Sequence, residues 1–282
     1  MKKVSITTLL IILLSYVSPF QGEATFPEKN IVFWGLGQSD EQKNNDLIKA
    51  YNLAKENNYE EALKIIDQKI QISPKSTTLH VIKGLILNEM RMYLLAIREL
   101  NNAQIIESRH PGIHFGFCKV YRNLGMSELS LQACKVTVEI HRLSSEAHYE
   151  HAQTLIANGN MELANKSLST AAELNPNNAQ YHYQRGMNFY YLNQYDEAER
   201  SFQKAFSIDA NDVDSAYQLA YIYAARKKEN LATQQIERVL QIQKKHPKIQ
   251  SAKLLLEYVK KNALEKLPLK IIPHEYHIGR SK

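Results

Sequence analysis

The chain is poor in the features that usually announce a chemistry. Its only thiols in 282 residues are Cys118 and Cys134, neither near the N-terminus, which excludes lipidation at a cysteine after export. No nucleophile elbow, phosphate loop, dinucleotide fingerprint or carboxylate pair stands out, so nothing positive supports an enzyme. His148-Tyr149-Glu150-His151 misses the zinc-protease spacing, which needs two histidines four apart around a glutamate. There is no low-complexity linker. The apolar stretch from Val4 to Val17 is about 14 residues long, short of the roughly 20 that a bilayer-crossing helix needs.

That stretch follows Lys2-Lys3 and precedes Pro19, the layout of a secretory signal. Gly22 and Ala24 offer small residues for the peptidase, so residues 1–24 are expected to be removed before Thr25, with a site nearer Ser18 as the alternative. The rival reading is an uncleaved membrane anchor. Either way the rest of the chain is expected outside the cytoplasm, first of all in a bacterial periplasm.

Charge is unevenly placed. Residues 213–282 hold 14 Lys and Arg against 6 Asp and Glu, whereas residues 25–212 are slightly acidic. Arg226, Lys227, Lys228, Lys244, Lys245, Lys260 and Lys261 form the expected basic surface. A solvated helix face is the plain explanation; attraction to an acidic partner or peripheral contact with an anionic membrane is the functional one. Nucleic acid is not an expected partner of an exported protein.

What the sequence has in quantity is repetition. At an offset of 34 residues, six units run without insertion or deletion: 43–76, 77–110, 111–144, 145–178, 179–212 and 213–246. Ala62, Ala96, Ser130, Ala164, Ala198 and Ala232 share one register. Twelve residues earlier stand Ala50, Gly84, Cys118, Ala152, Gly186 and Ala220, again small. Bulky residues recur beside them, as in Ile66, Leu100, Cys134, Leu168, Phe202 and Ile236. Two helices per unit explain this, because small residues on facing helices let backbones approach while large ones fill the gaps. Asn57, Gly125, Gly159 and Asn193 mark the turns between them, and Pro74, Pro111, Pro176 and Pro247 the junctions between units.

Leu192-Asn193-Gln194-Tyr195-Asp196-Glu197-Ala198, followed by Phe202, Ala205, Asp209 and Ala210, resembles the tetratricopeptide repeat. Tyr59-Glu60-Glu61-Ala62 with Pro74, and Gly159 with Ala164, Ala171 and Pro176, carry the same pattern. The chain departs from the family where Trp is frequent, having Asp46, His80, His114, His148, His182 and Ala216 there. The resemblance implies an all-α, right-handed solenoid of helical hairpins that binds other proteins in its concave face. Residues 247–263 are expected to form a capping helix and 264–282 an extended or disordered basic tail. Ser39-Asp40-Glu41-Gln42 resembles a capping box, so the first helix should start near Asp40, after an N-terminal arm over 25–42.

If that geometry holds, the first helix of each unit lines the concave face. The expected groove residues are Leu47, Tyr51, Val81, Leu85, Phe115, Lys119, Arg122, Tyr149, Gln153, Tyr183, Met187, Tyr190, Tyr217 and Tyr221, with binding energy concentrated on the tyrosines of units four to six. The paired basic positions of a carboxylate clamp are missing. The four histidines at the full period are expected to fill space inside each hairpin, since helices about 8–10 Å apart hold equivalent side chains too far apart to share one metal ion. No metal or cofactor is expected. Cys118 should face Ser130, one turn from Cys134, so two free buried thiols are expected in place of a bridge, although an oxidising compartment would permit one. The function expected is a non-enzymatic scaffold or adaptor holding a peptide or helix of an envelope protein, in pilus, secretion or outer-membrane assembly. Two readings stand beside it: a secreted effector using the same groove on a host protein, and an enzyme whose site goes unrecognised.

Overall fold

The computed structural model describes residues 41–242, 246 and 248–260. The leader, residues 25–40 of the N-terminal arm, the tail, and Lys244, Lys245 and Lys261 lie outside the described residues, while Glu41 and Gln42 of the capping box open the first helix. Within them the chain is all-α, six helical hairpins and one further helix. The hairpins are α1 (Glu41–Lys55) with α2 (Tyr59–Ile72), α3 (Thr77–Glu89) with α4 (Tyr93–Ile106), and α5 (Pro111–Asn123) with α6 (Ser127–Ile140). They continue as α7 (Ser145–Ala157) with α8 (Met161–Leu174), α9 (Ala179–Tyr191) with α10 (Tyr195–Ile208), and α11 (Val213–Ala225) with α12 (Glu229–Ile242). Helix α13 (Lys248–Lys260) packs on both helices of the sixth hairpin and buries Ile249, Ala252, Leu255 and Val259 there.

Every first helix ends in the same way. Asn57, Arg91, Gly125, Gly159, Asn193 and Lys227 have φ between 57° and 77°, the left-handed conformation that stops a helix. The residue after each returns its N–H to a carbonyl five residues back, as in Asn58 to Leu53 at 2.8 Å and Gln194 to Phe189 at 2.9 Å. Asn and Gly at four of these turns were readable in the sequence. Arg91 and Lys227 were not, because their residue type does not favour that φ and the 34-residue repeat imposes it.

The small and large registers meet as expected, with one instructive difference. A Cβ added to Gly186 would lie 2.7 Å from the Phe202 ring, and one added to Gly84 would lie 3.1 Å from Leu100. The small position on the first helix thus points at the bulky position on the second, whereas the expectation had it facing the small one. In the third hairpin these two positions are Cys118 and Cys134, and they form a disulfide with Cα atoms 4.9 Å apart. The expectation of two free thiols is therefore corrected. Ser130 still abuts Cys118, donating to its carbonyl at 2.9 Å, and its hydroxyl lies 3.0 Å from that of Thr154 of the next hairpin.

The periodic histidines do more than fill space. His80, His148 and His182 each donate from Nε2 to the carbonyl six residues earlier, at Pro74 (3.1 Å), Arg142 (2.9 Å) and Pro176 (3.1 Å). The imidazole thereby ties the turn between units to the helix that follows. The other nitrogen of His80, Nδ1, lies 2.8 Å from Glu99. Burial pushes the Glu99 carboxyl up, but the His80 hydrogen bond and the Lys83 charge outweigh it and hold the group below its usual range.

Acid should loosen this fold before the carboxylates titrate. Burial pushes His114, His141 and His182 down, and burial, reinforced by His148 and Lys135, pushes His151 down to about 4. The unfolded chain binds these protons near pH 6.5 and the native chain does not. Stability is thus full above about pH 6.5 and declines as pH falls towards 4. Melts by circular dichroism at pH 7.5, 6 and 4.5 should show this decline, and His151→Gln should flatten it; a flat wild-type profile would contradict the assignment.

Candidate functional site

The concave side holds a cleft of about 410 Å³ between the first and fourth hairpins. Its walls are Tyr51, Ala54, Lys55, Asn57 and Tyr59 of the first unit, Ile82, Leu85, Ile86 and Glu89 of the second, Phe115 and Lys119 of the third, and Glu146, Tyr149 and Glu150 of the fourth. Helical register explains most of this set. On α1, α3, α5 and α7, residues three and four apart share a face, which brings Leu85 beside Ile82 and Glu89, and Tyr149 beside Glu146.

The floor is apolar and the charges are largely matched within the wall. Lys119 Nζ is 3.0 Å from Glu89 and 3.8 Å from Glu150, and it stands 5.8 Å above the centre of the Phe115 ring. Burial pulls its ammonium down, but Glu150 and Glu89 overcome that and raise it. Glu150 also accepts from Arg122 at 2.8 Å. Burial pushes the Tyr51 phenol up; Lys119 opposes that and Glu146, acting from the fourth hairpin, adds to it. Burial likewise pushes Tyr149 up to about 12. Both phenols are thereby held in the neutral form at ordinary pH. Among the described residues no group of three or more His, Cys, Asp and Glu is placed to hold a metal, and no helix is long and apolar enough to cross a membrane.

Of the expected groove residues, the structure brings Tyr51, Leu85, Phe115, Lys119 and Tyr149 together in the cleft. Leu47 and Val81 are core instead. Arg122 lies behind the cleft wall on Glu150, and Gln153 is half-buried outside it. The tyrosine rows further along are spent on packing. Tyr217 and Tyr221 are 2% and 4% exposed, Met187 is 1% exposed, and Tyr183 packs on the Phe202 ring at 5.7 Å. Tyr190 is the hub of an edge-on cluster with Tyr191, Tyr195 and Tyr221 at 5.6–6.1 Å. The sixth unit therefore uses as core two of the rings that were expected to anchor a partner, Tyr217 and Tyr221, with α13 over α11 and Lys248 5.4 Å over the Tyr217 ring, while Tyr183 and Tyr190 of the fifth unit are half-buried.

The basic surface also shrinks. Arg226 pairs with Asp196 at 2.7 Å and Glu199 at 2.8 Å, and Lys228 lies 3.7 Å from Glu199 and 5.6 Å over the Tyr223 ring. These cations bolt the sixth unit to the fifth. Lys227, Lys228 and Lys260 remain exposed.

Glu89, Glu146, Glu150, Ile82 and Ile86 were missed. Ile82 and Glu150 sit one residue beyond an expected groove row, so a wider face per helix would have caught them. That the first and fourth units face each other across one opening has no local signal.

Stacked helical hairpins in unbroken register define an α-solenoid, a class of protein-protein interaction scaffold. The family model described as tetratricopeptide repeat matches residues 145–178 and 179–212, the fourth and fifth hairpins. With six hairpins of that length in unbroken register, the chain is a tetratricopeptide repeat protein. Among solved structures it is similar to YrrB, described as a TPR protein with an unusual peptide-binding site, at 19% identity over 70% of this chain and 97% of that one, with a TM-score of 0.53. It is also similar to the C-terminal part of a TPR repeat-containing protein from Cytophaga hutchinsonii, at 19% identity over 77% and 93% of the two chains, with a TM-score of 0.57. In the APC/C hetero-tetramer Cut9–Hcn1 the match is 15% identical over 83% of this chain and 46% of that one, with a TM-score of 0.64. At these identities the likeness is one of fold. No curated protein matches the sequence.

Proposed function

We propose that this protein is an exported, non-enzymatic adaptor that holds a segment of an envelope protein in the cleft between its first and fourth hairpins. The observation that carries the reading is the cleft itself, about 410 Å³ with Tyr51, Leu85, Phe115 and Tyr149 on its walls. It combines aliphatic and aromatic side chains with the charged groups of Lys55, Glu89, Lys119, Glu146 and Glu150, so it offers an apolar seat and polar groups that can orient what sits there. Export is supported by the lysine-led apolar leader and by the Cys118–Cys134 disulfide, which persists in an oxidising compartment.

Tagged protein captured from envelope fractions tests both halves. N-terminal sequencing should begin at or near Thr25, and full-length chain recovered from the cytosol would end the export reading. One envelope protein should be retained by the wild type and by Lys260→Glu on the outer surface. It should be lost by about tenfold or more with Leu85→Arg, which sets a charge on the apolar floor. Equal capture by Leu85→Arg, with unchanged helical circular dichroism, would remove the cleft from the function.

A further inference from the structure

The cleft carries an electrostatic asymmetry that narrows what it accepts. Its central cation, Lys119, is held between Glu89 and Glu150, so it is already neutralised before any ligand arrives. Glu150 is in turn bound by Arg122. Glu146 differs. Among the described residues it has no cation within ion-pair distance, and its carboxylate accepts from two neutral hydroxyls at the long end of the range, Ser144 at 3.3 Å and Tyr181 at 3.4 Å. Its charge reaches across the opening to the Tyr51 phenol on the opposite wall. A carboxylate so placed, on a cleft whose lining sets Glu89, Glu146 and Glu150 against Lys55 and Lys119, gains from a ligand cation, whereas an acidic ligand would add to the carboxylate excess.

We infer that the occupant is an extended peptide segment in which a large apolar side chain, seated against Tyr51 and Leu85, is followed or preceded within a few residues by a Lys or Arg that pairs with Glu146. This rests on the cleft being the binding site and adds the chemistry of the ligand. It also inverts the preference of a carboxylate clamp: the cleft rejects acidic segments. The partner is thus a protein with a basic-apolar exposed stretch.

The probe is a display library of random dodecapeptides, selected on the immobilised full chain and on three variants, each checked for native circular dichroism. Wild-type protein should enrich sequences that combine an aromatic or large aliphatic residue with a nearby Lys or Arg, and their binding should weaken with salt. Glu146→Gln should weaken those peptides by about tenfold, the scale of one charge-assisted pair. Glu146→Lys should select Asp or Glu in place of the cation, and Leu85→Arg should bind none of the winners. Winners that require Leu85 but ignore both Glu146 variants would overturn the charge inference and leave the cleft standing. Winners indifferent to Leu85, or no enrichment at all, would overturn both. An enriched apolar run lacking a cation and matching this chain's own Ile31-Val32-Phe33-Trp34 would make the N-terminal segment the occupant, and the inference would fall.

Discussion

Phe202→Ala should cost about 3–5 kcal/mol of unfolding free energy, the scale of removing a fully buried ring. Phe202 is the largest fully buried side chain among the described residues and lies over the bare backbone of Gly186, where a Cβ would come within 2.7 Å of it. The converse change, Gly186→Ala, should cost about 1–3 kcal/mol through overpacking. The fourth hairpin already shows the alternative solution, with Ala152 and Leu168 at the same two registers, both fully buried. Gly186→Ala combined with Phe202→Leu recreates that pair in the fifth hairpin. The double variant should therefore be more stable than the sum of its singles by about 0.5 kcal/mol or more in urea unfolding. Strict additivity would mean that ring and glycine do not share one packing volume.

The second large effect concerns the bridge. Cys118 and Cys134 close a loop of about 17 residues, so losing the bond should destabilise the chain by about 3 kcal/mol. The loss should be felt at the cleft, because Phe115 and Lys119 lie on the helix that Cys118 ties down. Reductant should lower the melting temperature of the wild type and leave that of Cys118→Ala/Cys134→Ala unmoved. Non-reducing peptide mapping should recover the 118–134 linkage in full. Quantitative alkylation of both thiols in unreduced protein, with melts that ignore reductant, would refute the bridge.

Both expectations turn on one register, and it shows what was legible in the sequence and what was not. The recurrence of Ala50, Gly84 and Ala152 twelve residues before Ala62, Ala96 and Ala164, with Ile66, Leu100 and Leu168 beyond, sets two helices per unit because small residues on facing helices let the backbones approach while the large ones fill the gaps. The direction of a Cβ is not in that pattern, so Cys118 was expected to face Ser130, where the structure aims it at Cys134. The cleft was half legible for a related reason. Tyr51, Leu85, Phe115, Lys119 and Tyr149 follow from register on single helices. The closing wall at Glu146 comes from a unit far along the chain, and curvature is a sum over units that no single repeat displays. Tyr217 and Tyr221 of the sixth unit are core where groove was expected, because aromatic residues serve core and interface alike and the cover that α13 gives α11 is not displayed by the repeat.

The cleft's opposing walls belong to the first and fourth units, so its aperture is a mechanical output of the three joints between them. Lys83 with Asp67, Asn123 with Asn88, and Ser130 with Thr154 each bridge one of those joints. A small rotation at any one is carried to the mouth like the travel of a lever, and rotations of the same sense accumulate. Residues that never meet a ligand thereby set how wide the jaws stand. Replacing Asp67 or Asn88 is therefore expected to shift the gauge of the whole cleft, and a segment that held both walls at once would stiffen every joint between them.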